Sequence, residues 1–279
     1  MVRIGLAMTI VLLAAAVVEA QITQNFLVSR DNGGDANAPD ANAGAAGQVR
    51  GAKNPWDEDT SYYDWSTTDL NAWINGNGGR ALVQSVEFFV KPITCPGQTT
   101  TVGIHVYGLH ANIDWAEGNG GDIWTAFNWS MGTAAATYNY AQEYYIDADG
   151  DPATTGDRSV DLALSLPWNN GANVGLASNS LRGIRNSLDW DPGDVGNTYY
   201  GVALDQAFWV DLLDNENNRG IILWDENDAP GLDENWEVYM RENAGGANAA
   251  YLSVTMIPEP VTMSLLVIGA AGMLLRRKR

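Results

Sequence analysis

Cysteine and histidine are scarce in this sequence of 279 residues. Cys95 is the single cysteine, so no disulfide can form within the chain and stability has to come from a hydrophobic core. His105 and His110 are the only two histidines. These side chains do not make a Cys/His cluster for zinc, and they give histidine-dependent catalysis little to work with.

Positive charge is the second scarcity. The chain has 15 Lys and Arg against 34 Asp and Glu, a formal net charge of −19. This excess of acidic residues argues against two kinds of partner. Nucleic acid is bound through clustered basic side chains, and anionic membrane surfaces also attract basic segments. Two explanations of the acidity stay open, namely solubility outside the cell and the binding of divalent cations.

The common catalytic motifs are also missing. The sequence contains no G-x-S-x-G, H-E-x-x-H, P-loop or Gly-rich dinucleotide-binding pattern. Carboxylates are numerous, but a glycoside hydrolase needs two of them at a set separation across a cleft, which a sequence does not show. We therefore predict a protein that is not an enzyme, with a glycoside hydrolase or polysaccharide lyase as the alternative.

The first 20 residues have the pattern of an export signal. Arg3 precedes an apolar stretch over residues 4–18, and Val18, Glu19 and Ala20 form a small-residue cleavage site before Gln21. This order is typical of a secretory signal peptide. An uncleaved N-terminal anchor is the alternative.

Residues 256–279 have three parts in a fixed order. Pro258, Glu259 and Pro260 come first, and because proline lacks an N–H donor and favours extended backbone, an enzyme can bind this triplet as a strand. The uncharged residues 261–275 predict a C-terminal transmembrane helix of about 22 Å, short for a hydrocarbon core of ~30 Å. Basic residues that favour a cytoplasmic C-terminus follow: Arg276, Arg277, Lys278 and Arg279.

This tripartite end resembles the PEP-CTERM sorting signal of bacteria. The resemblance implies that an exosortase, a membrane cysteine transpeptidase, is a partner and cuts near the Pro-Glu-Pro triplet. It also implies insertion in the inner membrane before processing, and then a place at the cell surface or in the extracellular space. A plain C-terminal membrane anchor is the alternative.

Short apolar runs alternate with Asn-, Asp-, Gly- and Pro-rich turns between the two ends. Their patterns predict strands at 22–29, 81–91, 99–107, 159–166, 199–204, 207–213, 220–224, 236–241 and 251–256. The strands at 81–91 and 99–107 are predicted to form a hairpin. Residues 30–51 are predicted to be irregular, and Thr67 or Thr68 is predicted to cap a short helical turn.

Many short strands without a long helical pattern predict an all-β fold, an antiparallel jelly-roll-like β-sandwich. The predicted organisation is a signal peptide at 1–20, a loop-rich part at 21–80, the sandwich at 81–256 and the sorting signal at 257–279. The flanking segments add a signal peptide and a transmembrane helix to an otherwise all-β protein.

Four stretches of the body carry a second resemblance: VGIHVYGL at 102–109, the W-x-E-G pattern at 115–118 followed by TAFNW at 125–129, FWVDLLDNENNRGIIL at 208–223, and YMREN at 239–243 with YLSV at 251–254. Together they resemble the DNRLRE-type domain of secreted bacterial and archaeal proteins. The resemblance implies a jelly-roll β-sandwich and an association with polysaccharide. We therefore expect a non-catalytic surface or extracellular-matrix protein, with a purely structural biofilm component as a further alternative.

Two sets of candidate site residues follow. Tryptophan rings suit the apolar faces of sugars, and those beside turn residues are candidates for a glycan-binding surface: Trp56, Trp65, Trp168 and Trp190. Carboxylates that alternate through a glycine turn are candidates for calcium: Asp147, Asp149, Asp151 and Asp157. Burial in the core is the alternative for most of the tryptophans, and a solvated turn is the alternative for the second set. No other cofactor is predicted.

Overall fold

A computed structural model describes residues 21–35, 48–53, 59–93, 102–110, 114–117, 140–142, 166–167, 188–190, 198–224 and 234–257. The predicted signal peptide and the predicted sorting signal from Pro258 onward lie outside these residues. Among the described residues, no helix combines the length and the apolar character needed to cross a membrane.

The described residues form mostly β-strands. In chain order the strands are β1 (Ile22–Leu27), β2 (Arg30–Asp35), β3 (Gln48–Lys53), β4 (Asp59–Asp64), β5 (Val83–Val90), β6 (Val102–His110), β7 (Tyr140–Gln142), β8 (Leu166–Pro167), β9 (Leu188–Trp190), β10 (Tyr200–Leu204), β11 (Asn218–Trp224), β12 (Glu234–Tyr239) and β13 (Tyr251–Met256). The helices are α1 (Thr67–Gly76) and α2 (Gln206–Asp214).

Two antiparallel sheets contain most of these strands. Sheet I has the order β1-β13-β5-β10, and sheet II has the order β2-β4-β11-β6-β9. Two smaller antiparallel pairs join β3 with β12 and β7 with β8. The prediction of an all-β antiparallel fold is confirmed at this level.

One hydrophobic core is shared by both sheets. In β5 and β13 alternate residues are buried, so each of these two strands has one face in the core and one face outward. Phe88 and Val254 of sheet I belong to the same buried cluster as Tyr63 and Ile221 of sheet II. The two sheets therefore form layers on either side of a common interior.

The predicted helical turn near Thr67 is confirmed as α1. Its cap is Ser66 rather than Thr67 or Thr68, because the Ser66 Oγ accepts the N–H of Asp69 at 3.2 Å. Leu70 and Ile74 are the buried residues of this helix, one turn apart.

The strand predicted at 207–213 is wrong, because this segment forms α2. The Asp205 Oδ1 accepts the N–H of Phe208 at 2.7 Å and so starts a helix. Phe208, Trp209 and Leu212 are buried, and this spacing is helical rather than alternating.

We expect Asp205→Ala to destabilise the protein by about 1 kcal/mol, because it leaves a helix N–H without its acceptor. Equilibrium urea unfolding measures the effect. Gln206→Ala is the matched control, since Gln206 is exposed at the first position of α2. Equal losses in both variants would argue that the cap contributes nothing.

Two further predictions about the chain are wrong. β5 and β6 do not form a hairpin, since β5 lies between β13 and β10 in sheet I and β6 lies between β11 and β9 in sheet II. Residues 30–51 are not irregular throughout, because β2 pairs with β4 along its whole length. Residues 21–80 thus supply β1 to sheet I and β2 and β4 to sheet II.

Candidate functional site

The structure places only part of the predicted site residues. Trp65 is 3% exposed and packs edge-on against Phe88 with ring centroids 5.6 Å apart, so its prediction as a surface ring is wrong. Trp190 lies in β9, where its side chain is outside what the structure describes. The other predicted residues lie outside the described residues: Trp56, Trp168, Asp147, Asp149, Asp151, Asp157 and the sorting signal from Pro258.

The outer face of sheet I carries a row of apolar side chains that sequence reasoning missed. Pairing of the four strands sets Leu27 opposite Tyr251, Tyr251 opposite Phe89, and Phe89 opposite Gly201. Directly paired residues share one face, and strands lie ~4.8 Å apart, so the row spans about 14 Å. We call Leu27, Tyr251, Phe89 and the adjacent Tyr199 the aromatic row.

The rings of the aromatic row overlap one another. Phe89 and Tyr251 stack with centroids 4.9 Å apart and an interplanar angle of 16°. Tyr199 meets Tyr251 edge-on at 5.0 Å. The Phe89 ring lies over Gly201, where a Cβ would come within 2.7 Å of its Cδ1. Leu27 is 57% exposed at the end of the row, and the three rings are half-buried.

Polar groups border the aromatic row. The Lys91 Nζ donates to the Asn248 Oδ1 at 2.8 Å and lies 5.8 Å from the Tyr199 ring centroid. In the adjacent line of the same face, Ser253 lies opposite Glu87. Burial raises the pKa of Tyr251, with the Glu87 charge adding to it, so its hydroxyl is protonated and can donate at neutral pH.

A network of alternating charges lies around Arg30 of β2, in sheet II. Its guanidinium pairs with Asp64 and with Asp114, 2.6 Å from the Asp114 Oδ1. The same group lies 4.4 Å above the Trp115 ring. Arg219 reaches Asp114 at 3.8 Å. Within this set two cations face two carboxylates, so the set is balanced in charge.

A cleft of about 400 Å³ opens beside this network. Arg30, Asp64 and Arg219 form part of its wall, together with Asn215 and Asn218 near the end of α2. Two of its charged groups are engaged with each other, since Arg30 pairs with Asp64. We therefore assign it no ligand.

Three carboxylates meet next to this network: Asp31 of β2, Glu117 of the segment 114–117, and Glu242 after β12. We call them the carboxylate trio. One oxygen of each lies within 4.8 Å of the others. Asp31 lies opposite the core residue Tyr63 in β4, which explains why an aspartate has no exposed surface.

Arg241 is the described cation that holds the carboxylate trio. Its backbone N–H donates to the Asp31 Oδ2 at 2.7 Å, and its Nη2 lies 2.7 Å from both oxygens of Glu117. The same Nη2 lies 2.8 Å from the Glu242 Oε1. The Asp31 N–H also donates to the Glu117 Oε1 at 3.0 Å.

In the trio, burial and the neighbouring negative charges disfavour the ionised form of the carboxyl groups. Burial raises the pKa of Asp31 to about 8, and the charges of Glu242 and Glu117 add to the shift against the lowering effect of the Arg241 N–H. Burial also raises the pKa of Glu117, while the Asp31 N–H and Arg241 oppose that shift. The Asp31 Oδ1 and the Glu242 Oε2 are buried without a hydrogen-bond partner.

Comparisons of the sequence with models of known protein families and with curated proteins found no match.

Proposed function

We propose that the protein is an exported, non-catalytic surface or extracellular-matrix protein that binds polysaccharide through the aromatic row. The row is the observation that carries the proposal. Pyranose rings have apolar C–H faces that stack on aromatic rings, and their hydroxyls need polar partners nearby. The exposed Leu27, the half-buried rings and the bordering Lys91 and Glu87 supply both kinds of contact on one side of sheet I.

The position of β13 is consistent with processing at the Pro-Glu-Pro triplet. β13 ends at Met256, and the Ile257 N–H donates to the Leu82 carbonyl oxygen at 3.0 Å. Pro258 follows at once, so a cut by an exosortase there would leave β13 intact. We propose insertion in the inner membrane through residues 261–275 and then release to the cell surface or matrix.

The jelly-roll arrangement of the DNRLRE-type domain belongs to the same proposal. Two antiparallel sheets with a shared core support it. The pairing of β13 between β1 and β5 brings distant parts of the chain together, as such double-sheet folds do.

The alternative of a glycoside hydrolase is less well supported. Its two carboxyl groups must both reach the scissile bond. In the carboxylate trio Asp31 has no exposed surface, and Arg241 engages both oxygens of Glu117. Among the described residues, this is the group of three carboxylates whose oxygens lie within 4.8 Å of one another.

The test measures retention of the full chain, purified in detergent, on a panel of immobilised or soluble polysaccharides. We expect Tyr251→Ala to weaken binding roughly tenfold, since a stacking ring and its buried area are lost. Gly201→Ala should also weaken it, because the added methyl displaces the Phe89 ring without deleting any aromatic group. Thr23→Ala is the matched control on the same face.

Circular dichroism melting of each variant separates lost binding from lost folding. Retention that is unchanged in Tyr251→Ala and Gly201→Ala would contradict the aromatic row as the binding surface. No retention on any polysaccharide would favour the purely structural component. Release of reducing sugar would favour the hydrolase.

A further inference from the structure

We propose that Asp31, Glu117 and Glu242 together bind a hard divalent cation. The ion that we propose is calcium, because all the ligand atoms are carboxylate oxygens. This site is separate from the aromatic row and does not depend on it. It also differs from the acidic loop at 147–157 that the sequence suggested.

The spacing of the oxygens fits calcium. Calcium binds oxygen ligands at ~2.3–2.6 Å in flexible geometry, so two oxygens on opposite sides of one ion lie about 5 Å apart. The three carboxylates each place one oxygen within 4.8 Å of the others. All the ligand atoms that the trio offers are carboxylate oxygens, which a hard cation prefers.

Unpartnered buried oxygens are the independent observation. Asp31 is 0% exposed, and its Oδ1 has no hydrogen-bond partner. The Glu242 Oε2 is also buried and unpartnered. Buried acceptors in native proteins are nearly always satisfied, and leaving one unsatisfied is costly. In the metal-free protein a proton on Asp31 can be shared with Glu242, and a divalent cation that replaces this proton would satisfy both oxygens.

Arg241 contacts one of the two oxygens of Asp31 and one of the two oxygens of Glu242. Its N–H occupies the Asp31 Oδ2, and its Nη2 occupies the Glu242 Oε1. The remaining oxygen of each is the unpartnered one. Arg241 therefore orients the two side chains and leaves one oxygen of each for a second cation.

Charge supports the same conclusion. When all three carboxyls are ionised, they exceed the guanidinium of Arg241, the cation that the structure describes there, by two negative charges. The neighbouring set around Arg30 is balanced by comparison. A divalent ion would neutralise the excess and link β2, the segment 114–117 and the turn after β12, which are distant in sequence.

Thermal unfolding and isothermal titration calorimetry of the full chain, stripped with EDTA and titrated with CaCl₂, test the proposal. We expect the Tm to rise by several degrees with CaCl₂, because an ion that binds the folded state stabilises it by mass action. Asp31→Asn and Glu242→Gln should each weaken calcium binding at least tenfold and lose the Tm shift. Asp214→Asn, which removes an exposed carboxylate paired with Arg80, should keep the shift.

The double variant Asp147→Asn, Asp149→Asn separates this site from the acidic loop. It should retain the calcium-dependent Tm shift. Loss of the shift in that variant, or its persistence in Asp31→Asn and Glu242→Gln, would overturn the proposal. The absence of any calcium-dependent shift in the wild type would mean that a proton is held between Asp31 and Glu242, and would also overturn it. Circular dichroism spectra confirm that each variant is folded.

Discussion

Replacing Gly220 by alanine is expected to destabilise the protein by about 3 kcal/mol or more, because backbone strain and a steric clash add together. Gly220 has a φ of 105° in β11, where the pairing with β6 shifts register between Asn218 and Ile221. An added Cβ would overlap the Tyr63 carbonyl oxygen and lie 3.0 Å from the Asp64 Cα. β4 cannot move away freely, since β2 pairs with it on its other side.

Gly79→Ala is the matched control for this prediction. Gly79 also has a positive φ, 94°, but nothing lies within 4 Å of an added Cβ. Its variant therefore reports strain alone, about 1–3 kcal/mol. Equilibrium urea unfolding of both variants gives the difference due to the clash. A loss for Gly220→Ala no larger than that for Gly79→Ala would show that β4 and β11 separate easily.

Asp31 should make the stability of the calcium-free protein strongly pH-dependent. Folding raises the pKa of this carboxyl from 3.8 to about 8, so between these values the unfolded chain has lost a proton that the folded protein keeps. The stability contributed by the neutral form is complete below pH 3.8 and is lost as the pH rises through about 8. We expect a loss of several kcal/mol across this window.

The groups facing Asp31 explain why a single substitution should change the dependence of stability on pH. Glu242 and Glu117 repel the ionised form, Arg241 donates its N–H to the carboxyl, and Tyr63 lies opposite it in β4. Asp31→Asn keeps an acceptor for the Arg241 N–H and adds a donor for Glu242, without a charge. We therefore expect it to be more stable than the wild type near pH 8, by a margin that vanishes near pH 4.

Urea unfolding from pH 4 to 9 in EDTA measures this margin. Asp214→Asn is the control, since a hydrogen bond from Arg80 lowers the pKa of Asp214. The stability from that pair is present above the ordinary carboxyl pKa and is lost only as the pH falls through the lowered value. A margin for Asp31→Asn that stays constant with pH would refute the role of this carboxyl.

The strands with the clearest alternation could be predicted from the sequence. Val83–Val90 and Tyr251–Met256 combine apolar alternation with β-branched and aromatic residues, and both predictions are confirmed. The pairing of strands could not be predicted, because β5 finds its partners far along the chain in β13 and β10. The segment that forms α2 is short and apolar, so its periodicity is ambiguous until the Asp205 cap is seen.

The candidate sites were harder to predict from the sequence than the strands were. Leu27, Phe89 and Tyr251 become neighbours only through the register of three strands, which no local pattern encodes. Asp31 lies in a stretch rich in Gly, Asn and Asp that is typical of a loop, yet it forms a strand facing the interior. Trp65 is another residue whose burial was not expected from its sequence neighbours. Its polar neighbours in the sequence suggested a surface ring, but its side chain lies in the core.

The pairing of β1 with β13 has a consequence for synthesis on the ribosome. Thr23 and Thr255 touch across 232 positions of the chain, at 3.0 Å. A nascent polypeptide therefore leaves β1 without its neighbour until residues 251–256 have emerged, and closing so long a loop is slow. A product truncated before Tyr251 would keep β1 and β5 as open edges, which are templates for aggregation between molecules.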